Sequence, residues 1–309
     1  MDIVFFGTPE IALPSLEKLH NRYNVRLIVC KIDKPKNRGH KYVYAPTKEF
    51  AIKHKIEVFQ PKSLKNNIEA IEIIKTIKPD FLVVVAYGLI IPKEILKIPK
   101  KAPINVHFSL LPKYRGAAPV NWAIINGEKY TGVTTMLMNE KLDAGDILLQ
   151  DYTTIDKKDA QQLNSELSIM GSNLLIKTLD NFNRIKPKKQ NEERVNFAPM
   201  LKKEDGIINW SESAKRIECR IRGLIPWPTA YSFLNKKRIK FYKAHVKRDN
   251  HHENGFKVGQ IMMITKDNIY IKTGKDILVV DELQLEGKKR MKAGEFIRGS
   301  QIKIGDIFK

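Results

Sequence analysis

Ile104-Asn-Val-His-Phe-Ser-Leu-Leu-Pro-Lys-Tyr-Arg-Gly-Ala-Ala-Pro119 decides the reading of this chain. It opens as a strand with clean alternation. Ile104, Val106, Phe108 and Leu110 point one way, and Asn105, His107 and Ser109 the other. A buried face therefore backs a face carrying an amide, an imidazole and a hydroxyl. The strand breaks at Pro112, runs through Arg115-Gly116 and restarts as a helix near Pro119, since proline is tolerated in a first helical turn. Polar residues at the carboxyl end of a strand, before a loop and a helix, lie where open α/β sheets place their sites. Downstream, Leu142-Asp-Ala-Gly-Asp146 is an acidic turn between two apolar runs.

Each signal alone is ordinary. A single histidine on a strand is more often a hydrogen-bonded structural residue, and Asp before Ala-Gly is more often a turn residue. Their combination points to chemistry. It supplies an oxyanion donor (Asn105), a proton carrier (His107) and a carboxylate (Asp143).

Outward from this stretch, strands and helices alternate. Residues 2–6 are a buried strand, followed by Gly7-Thr8-Pro9-Glu10, with Thr8 as N-cap, and a helix to about His20. Strand 25–30 leads into Lys31–Tyr44, a long basic loop carrying Lys34, Lys36, Arg38 and Lys41. Helix 46–54, a strand near Val58, helix 63–77 and the apolar strand 81–86 continue the pattern. Tyr87-Gly-Leu-Ile90 then forms an apolar loop beside the site strand. Helix 117–126, strand 131–138, strand 147–152 and a helix from about Lys158 to Leu179 complete the region. This alternation implies an α/β fold with a Rossmann-like, doubly wound parallel sheet over residues 1–182. The Gly-x-Gly-x-x-Gly fingerprint is missing, which disfavours a nicotinamide-dependent dehydrogenase.

Periodicity fails over 183–206, which reads as a linker rich in Lys, Pro, Asn and Glu. Residues 207–309 change pattern. A helix near 213–222 precedes five short strands at 230–234, 240–246, 259–264, 269–273 and 276–284. That spacing suggests a small OB-like β-barrel.

The 309 residues carry a net charge of +21, and residues 201–309 alone hold 24 Lys/Arg against 13 Asp/Glu. Such an excess favours a polyanionic partner, nucleic acid first. Arg220, Arg222, Lys237 and Arg238 belong to its candidate phosphate-facing band. Cys30 and Cys219 are far apart and offer no metal spacing, so no metal is expected. Met1-Asp2-Ile3 enters a strand directly, and no apolar run approaches membrane-spanning length. The chain reads as cytosolic with no membrane partner.

Phe6-Gly-Thr-Pro9, Val85-Ala-Tyr-Gly-Leu-Ile90, Asn105-Val-His-Phe-Ser-Leu-Leu-Pro112, Tyr114-Arg-Gly-Ala-Ala-Pro119 and Leu142-Asp-Ala-Gly-Asp146 resemble the formyltransferases that use 10-formyltetrahydrofolate. The Arg-Gly-Ala-Ala-Pro form, the Arg38-Gly39 loop and Pro226-Trp-Pro228 narrow the resemblance to the branch acting on methionyl-tRNA. It spans both domains and is weakest after Asp249. It implies an N-terminal formyltransferase domain, a C-terminal tRNA-binding barrel, and formylation of the methionine amino group on initiator methionyl-tRNA. It also implies Asn105, His107 and Asp143 as catalytic residues, and folate held along Ser109, Leu110, Leu111 and Pro112. The Tyr87, Gly88, Leu89 and Ile90 loop would wall the pterin pocket. Arg38, flanked by Lys36 and Lys41, would contact the tRNA acceptor end. His40 departs from the lysine expected there. Whether Asp143 orients His107 or relays a proton stays open. A bacterial cytoplasmic monomer is the family expectation. The alternatives are a relative with a small-molecule amine acceptor, a formyl-donor hydrolase, and an inactive tRNA-binding protein.

Overall fold

A computed structural model describes residues 1–36, 41–249 and 255–309; Arg38, Gly39 and His40 lie outside the described residues. The chain divides into two compact units. The first comprises Met1–Pro119, Tyr130–Thr154 and Asn164–Pro199, and the second Val120–Lys129, Ile155–Leu163 and Met200–Lys309.

The first unit is built on strands β1 (Asp2–Gly7), β2 (Asn24–Val29), β3 (Lys34–Lys36), β4 (Lys41–Val43), β5 (Glu57–Phe59), β6 (Phe81–Val85), β7 (Ala102–His107), β8 (Arg115–Gly116), β9 (Tyr130–Leu137), β10 (Ile147–Thr154) and β11 (Phe197–Ala198). Its main sheet has the order β10-β9-β7-β6-β1-β2-β5. Five strands, from β7 to β5, run parallel. The parallel, doubly wound part of the fold is therefore present, but β9 and β10 are antiparallel to their neighbours. The connection 138–146 is too short for a parallel crossover, which needs a dozen residues or more. β6 is wholly apolar and buried, and β1 is so over Ile3–Phe6, as central parallel strands covered on both faces must be.

Helices α1 (Leu13–Arg22), α2 (Pro46–Lys53), α3 (Ile68–Ile77), α4 (Lys93–Leu96), α5 (Pro119–Ile125) and α6 (Ala160–Asp180) carry the connections. α3 starts later than its apolar pattern, because Asn66 is left-handed (φ 55°) and the Asn67 side chain accepts the Ala70 N–H at 2.9 Å. It ends at left-handed Lys78 (φ 50°) before Pro79. Thr8 is not an N-cap. Its hydroxyl accepts the Lys31 N–H at 3.2 Å, and a 3-10 turn at Glu10–Ala12 precedes α1. The sheet order reverses between β1 and β6. The carboxyl ends of β1, β6 and β7 (Gly7, Val85 and His107) therefore flank the switch point where open sheets bind ligands.

Besides nearly all of α5 and the first turn of α6, the second unit contains α7 (Ala214–Gly223), β12 (Ala230–Leu234), β13 (Lys237–Lys247), β14 (Ile261–Ile264), β15 (Ile269–Lys272), β16 (Ile277–Leu285), β17 (Met291–Lys292) and α8 (Ala293–Arg298). The antiparallel order is β12-β13-β16-β15-β14, with β17 on β16. Asn235 and Lys236, both left-handed (φ 50° and 66°), make the two-residue turn between β12 and β13. Residues 305–309 join the two ends of this sheet. On one side Ile261 N–H donates to Asp306 O and Phe308 N–H to Gly259 O, both at 2.8 Å. On the other, Phe233 and Lys309 exchange hydrogen bonds of 3.0 and 2.9 Å. Phe308 thereby enters a core with Trp210 and Phe241, with ring centroids 5.5–5.8 Å apart.

Candidate active site

Asn105 and His107 are two residues apart on β7, so they share a face. Both are buried, at 8% and 6% exposure. Among the described residues the Asn105 side-chain amide has no hydrogen-bond partner. His107 Nε2 lies 2.9 Å from the Tyr114 carbonyl. A carbonyl only accepts, so Nε2 carries the hydrogen. Nδ1, which carries no hydrogen in that tautomer, faces Asp143 Oδ2 at 3.7 Å.

Asp143 sits in the left-handed region (φ 48°), which Asp tolerates better than most residues. Its Oδ2 accepts the Gly116 N–H at 2.8 Å. The turn is held by Gln190, whose Nε2 donates to Asp143 O (2.8 Å) and Gly145 O (2.7 Å). Gly145 has no room for a side chain, because a Cβ there would stand 1.6 Å from Leu137 O. Gln190 Oε1 in turn accepts from Arg115 Nε (3.0 Å) and Nη2 (2.9 Å). Arg115 also forks onto Glu192, whose carboxyl is held below its ordinary range by that hydrogen bond. Asn196 accepts the Tyr114 N–H through its side chain and the Arg115 N–H through its carbonyl. The stretch expected to be a linker thus supplies Gln190, Glu192 and Asn196 to the first unit.

The Ser109–Pro112 turn is fixed from the neighbouring strands. Ser109 is fully buried and its hydroxyl donates to Lys113 O at 2.6 Å, so that hydroxyl serves the turn itself. Thr134 Oγ1 donates to Ser109 O and accepts from Leu111 N–H and from Gln150 Nε2. Gln150 also donates to Leu111 O at 2.9 Å. Leu111 is buried, whereas Leu110 and Pro112 are half-buried. In the other loop, Tyr87 turns into the core, packs edge-on against Phe6, and has a buried hydroxyl without a partner in the described structure. Burial pushes its phenol above the usual tyrosine range. Gly88 is exposed with φ 72°, Leu89 is half-buried, and Ile90 is 88% exposed.

The basic candidates separate. Lys36 and Lys41 face each other in the register of the β3–β4 hairpin. Arg38 lies between them, outside the described residues. Lys237 is exposed at the start of β13, and the Arg238 guanidinium stands 5.7 Å from the Tyr231 ring centroid. Arg220 and Arg222 have partners inside the second unit. Arg220 donates to Asp205 O at 3.1 Å and pairs with Glu212. Arg222 pairs with buried Glu218 and donates to Lys158 O at 2.7 Å. A phosphate-facing role for Arg222 is therefore corrected to a structural one. Its guanidinium is committed to a carboxylate that is buried with it.

Cys30 is fully buried, and burial pushes its thiol up to about 11; burial also raises Cys219. Neither offers a thiolate nucleophile near neutral pH. Among the described residues no group of three or more His, Cys, Asp or Glu side chains could hold a metal ion.

Comparison with known proteins makes the chain a formyl transferase. The formyl transferase family model matches residues 1–179, and the model of the formyl transferase C-terminal domain matches 200–301. A methionyl-tRNA formyltransferase of Clostridium acetobutylicum is 49% identical over 313 residues, covering all of both chains, and one of Clostridium novyi is 46% identical, also end to end. The chain belongs to the methionyl-tRNA formyltransferase family. The solved structure of WlaRD, a sugar 3N-formyl transferase in the presence of dTDP and 5-N-formyl-THF, shares the fold. Its TM-score is 0.68 at 20% identity, over 94% of this chain and 99% of that one.

Proposed function

We propose that this chain transfers the formyl group of 10-formyltetrahydrofolate to the α-amino group of methionine on initiator methionyl-tRNA. The products are formylmethionyl-tRNA and tetrahydrofolate. The observation that carries the site assignment is the pairing of an unpartnered Asn105 amide with a His107 ring whose Nε2 is already committed to Tyr114 O. When bound, the folate supplies an activated formyl carbon and a nitrogen leaving group. Asn105 fits that donor through its free amide. Leu89 and Ile90 offer apolar contact to its flat ring, and the backbone of Ser109–Pro112 frames the approach.

The chain's residues then divide the work. The Asn105 amide donates to the oxygen on which negative charge develops; one such preorganised donor contributes roughly 2.7–4 kcal/mol. His107 Nδ1 takes the proton that the attacking amine loses and returns it to the leaving nitrogen, a contribution of about 10²–10⁴-fold. Tyr114 O orients the ring, so Asp143 acts on it through charge and proton exchange. Lys36, Arg38, Lys41, Lys237 and Arg238 bind tRNA phosphates, and the chain works as a monomer in the bacterial cytoplasm. No helix among the described residues is long and apolar enough to cross a membrane.

The test is formylation with labelled 10-formyltetrahydrofolate of methionyl initiator tRNA, methionyl elongator tRNA and free methionine. Label on initiator tRNA alone is expected. Label on a small amine instead, or release of formate, would overturn the acceptor assignment.

A further inference from the structure

We infer that Gln190 is a positioning residue for formyl transfer, acting through Asp143; this rests on the role proposed for Asp143. The geometry forms a closed circuit. The Asp143 carboxylate takes the Gly116 N–H. The adjacent Arg115 side chain donates twice to Gln190 Oε1. Gln190 Nε2 returns to the main chain of the turn, at Asp143 O and Gly145 O. The carboxylate that faces His107 Nδ1 is thus fixed at both ends of its own residue.

Only a primary amide completes this circuit. One end must donate to two carbonyls, and the other must accept from two guanidinium N–H groups. A glutamate keeps the acceptor for Arg115 but sets a carboxylate oxygen against two carbonyls. A lysine donates but opposes buried Arg115, which is 5% exposed. An asparagine has both functions but is one methylene short of spanning them. Nothing in a left-handed Asp turn holds its carboxylate in place unaided, because the backbone there is sparsely favoured.

The experiment compares Gln190→Glu and Gln190→Leu in the wild-type and Asp143→Asn backgrounds, by steady-state formylation of methionyl initiator tRNA. In the wild-type background kcat falls roughly tenfold or more, while KM for folate and for tRNA stays within about twofold. In the Asp143→Asn background the same substitutions change kcat by no more than about twofold, since the route they disturb is already gone. An equal loss in both backgrounds would mean a merely structural role and overturns the inference, as does an unchanged kcat for Gln190→Glu. Gln190→Glu keeps the Arg115 contact and carries the test if Gln190→Leu does not fold.

A second readout is independent of turnover: the ¹⁵N resonance of His107 Nδ1. It is expected to move in the same direction in Asp143→Asn and in Gln190→Glu, with Nε2 unchanged. If Asp143→Asn keeps full activity, the catalytic reading of Asp143 fails. The resonance still decides whether Gln190 places the carboxylate, and an unmoved signal in Gln190→Glu overturns that.

Discussion

His107 Nδ1 and Asp143 Oδ2 stand 3.7 Å apart, inside ion-pair range and beyond a hydrogen bond. The ring is held at its other nitrogen by Tyr114 O. One group therefore sets the tautomer, and the carboxylate stands at the opposite ring nitrogen. His107→Ala is therefore expected to lower kcat by about 10²–10⁴-fold. Asn105→Ala should lower it by about 10²–10³-fold. KM for folate should change little in either case. Steady-state formylation with both substrates varied measures this. A loss confined to KM would place both residues in binding only.

Tyr87 carries a buried hydroxyl that has no partner in the described structure. Leaving such a group unpaired costs about 1–3 kcal/mol. Tyr87→Phe should raise the free energy of unfolding in denaturant titration without changing KM for folate. A raised KM would show that bound folate claims the hydroxyl.

Burial alone would raise the Glu218 carboxyl, but the Arg222 guanidinium, with Lys215 beside it, outweighs burial and holds the group below its ordinary value of 4.5. Such a pair stabilises fully above that value. Its contribution is lost as pH falls below 4.5 through the lowered folded value. Glu218→Gln should therefore flatten the acid limb of the stability–pH profile. Arg222→Met leaves Glu218 only the exposed Lys215 ammonium at 3.0 Å and should destabilise by less than the about 3–5 kcal/mol of a wholly unpaired buried charge. Arg238→Ala should instead raise KM for tRNA and leave thermal unfolding unchanged.

Phe308 fills the barrel core with Trp210 and Phe241. Phe308→Ala should destabilise by about 3–5 kcal/mol. The check is thermal unfolding followed by tryptophan fluorescence, with the emission of Trp210 shifted to the red.

The α/β alternation, the buried strands and the Asn105–His107 face were legible because strand period and apolar runs are local signals. So was the Asp143 turn, through Asp-Ala-Gly. The partners that fix these residues were not. Thr134 stands opposite His107 only in an antiparallel register that no local pattern announces. Gln190 and Asn196 lie in a stretch without periodicity, where an amide reads as surface. Arg222 looked like a free cation because basic composition does not say which guanidinium meets a carboxylate.

The chain passes between its two units at 119/120, 129/130, 154/155, 163/164 and 199/200. Within the second unit, Asn121 Nδ2 donates to Gly223 O at 2.7 Å and Arg222 reaches Lys158 O. A single splice near residue 200 would therefore import a new α7 without the short inserts from earlier in the chain that complete it. Modules joined in this way resist shuffling by simple recombination. A laboratory chimera would have to exchange 120–129 and 155–163 together with the barrel.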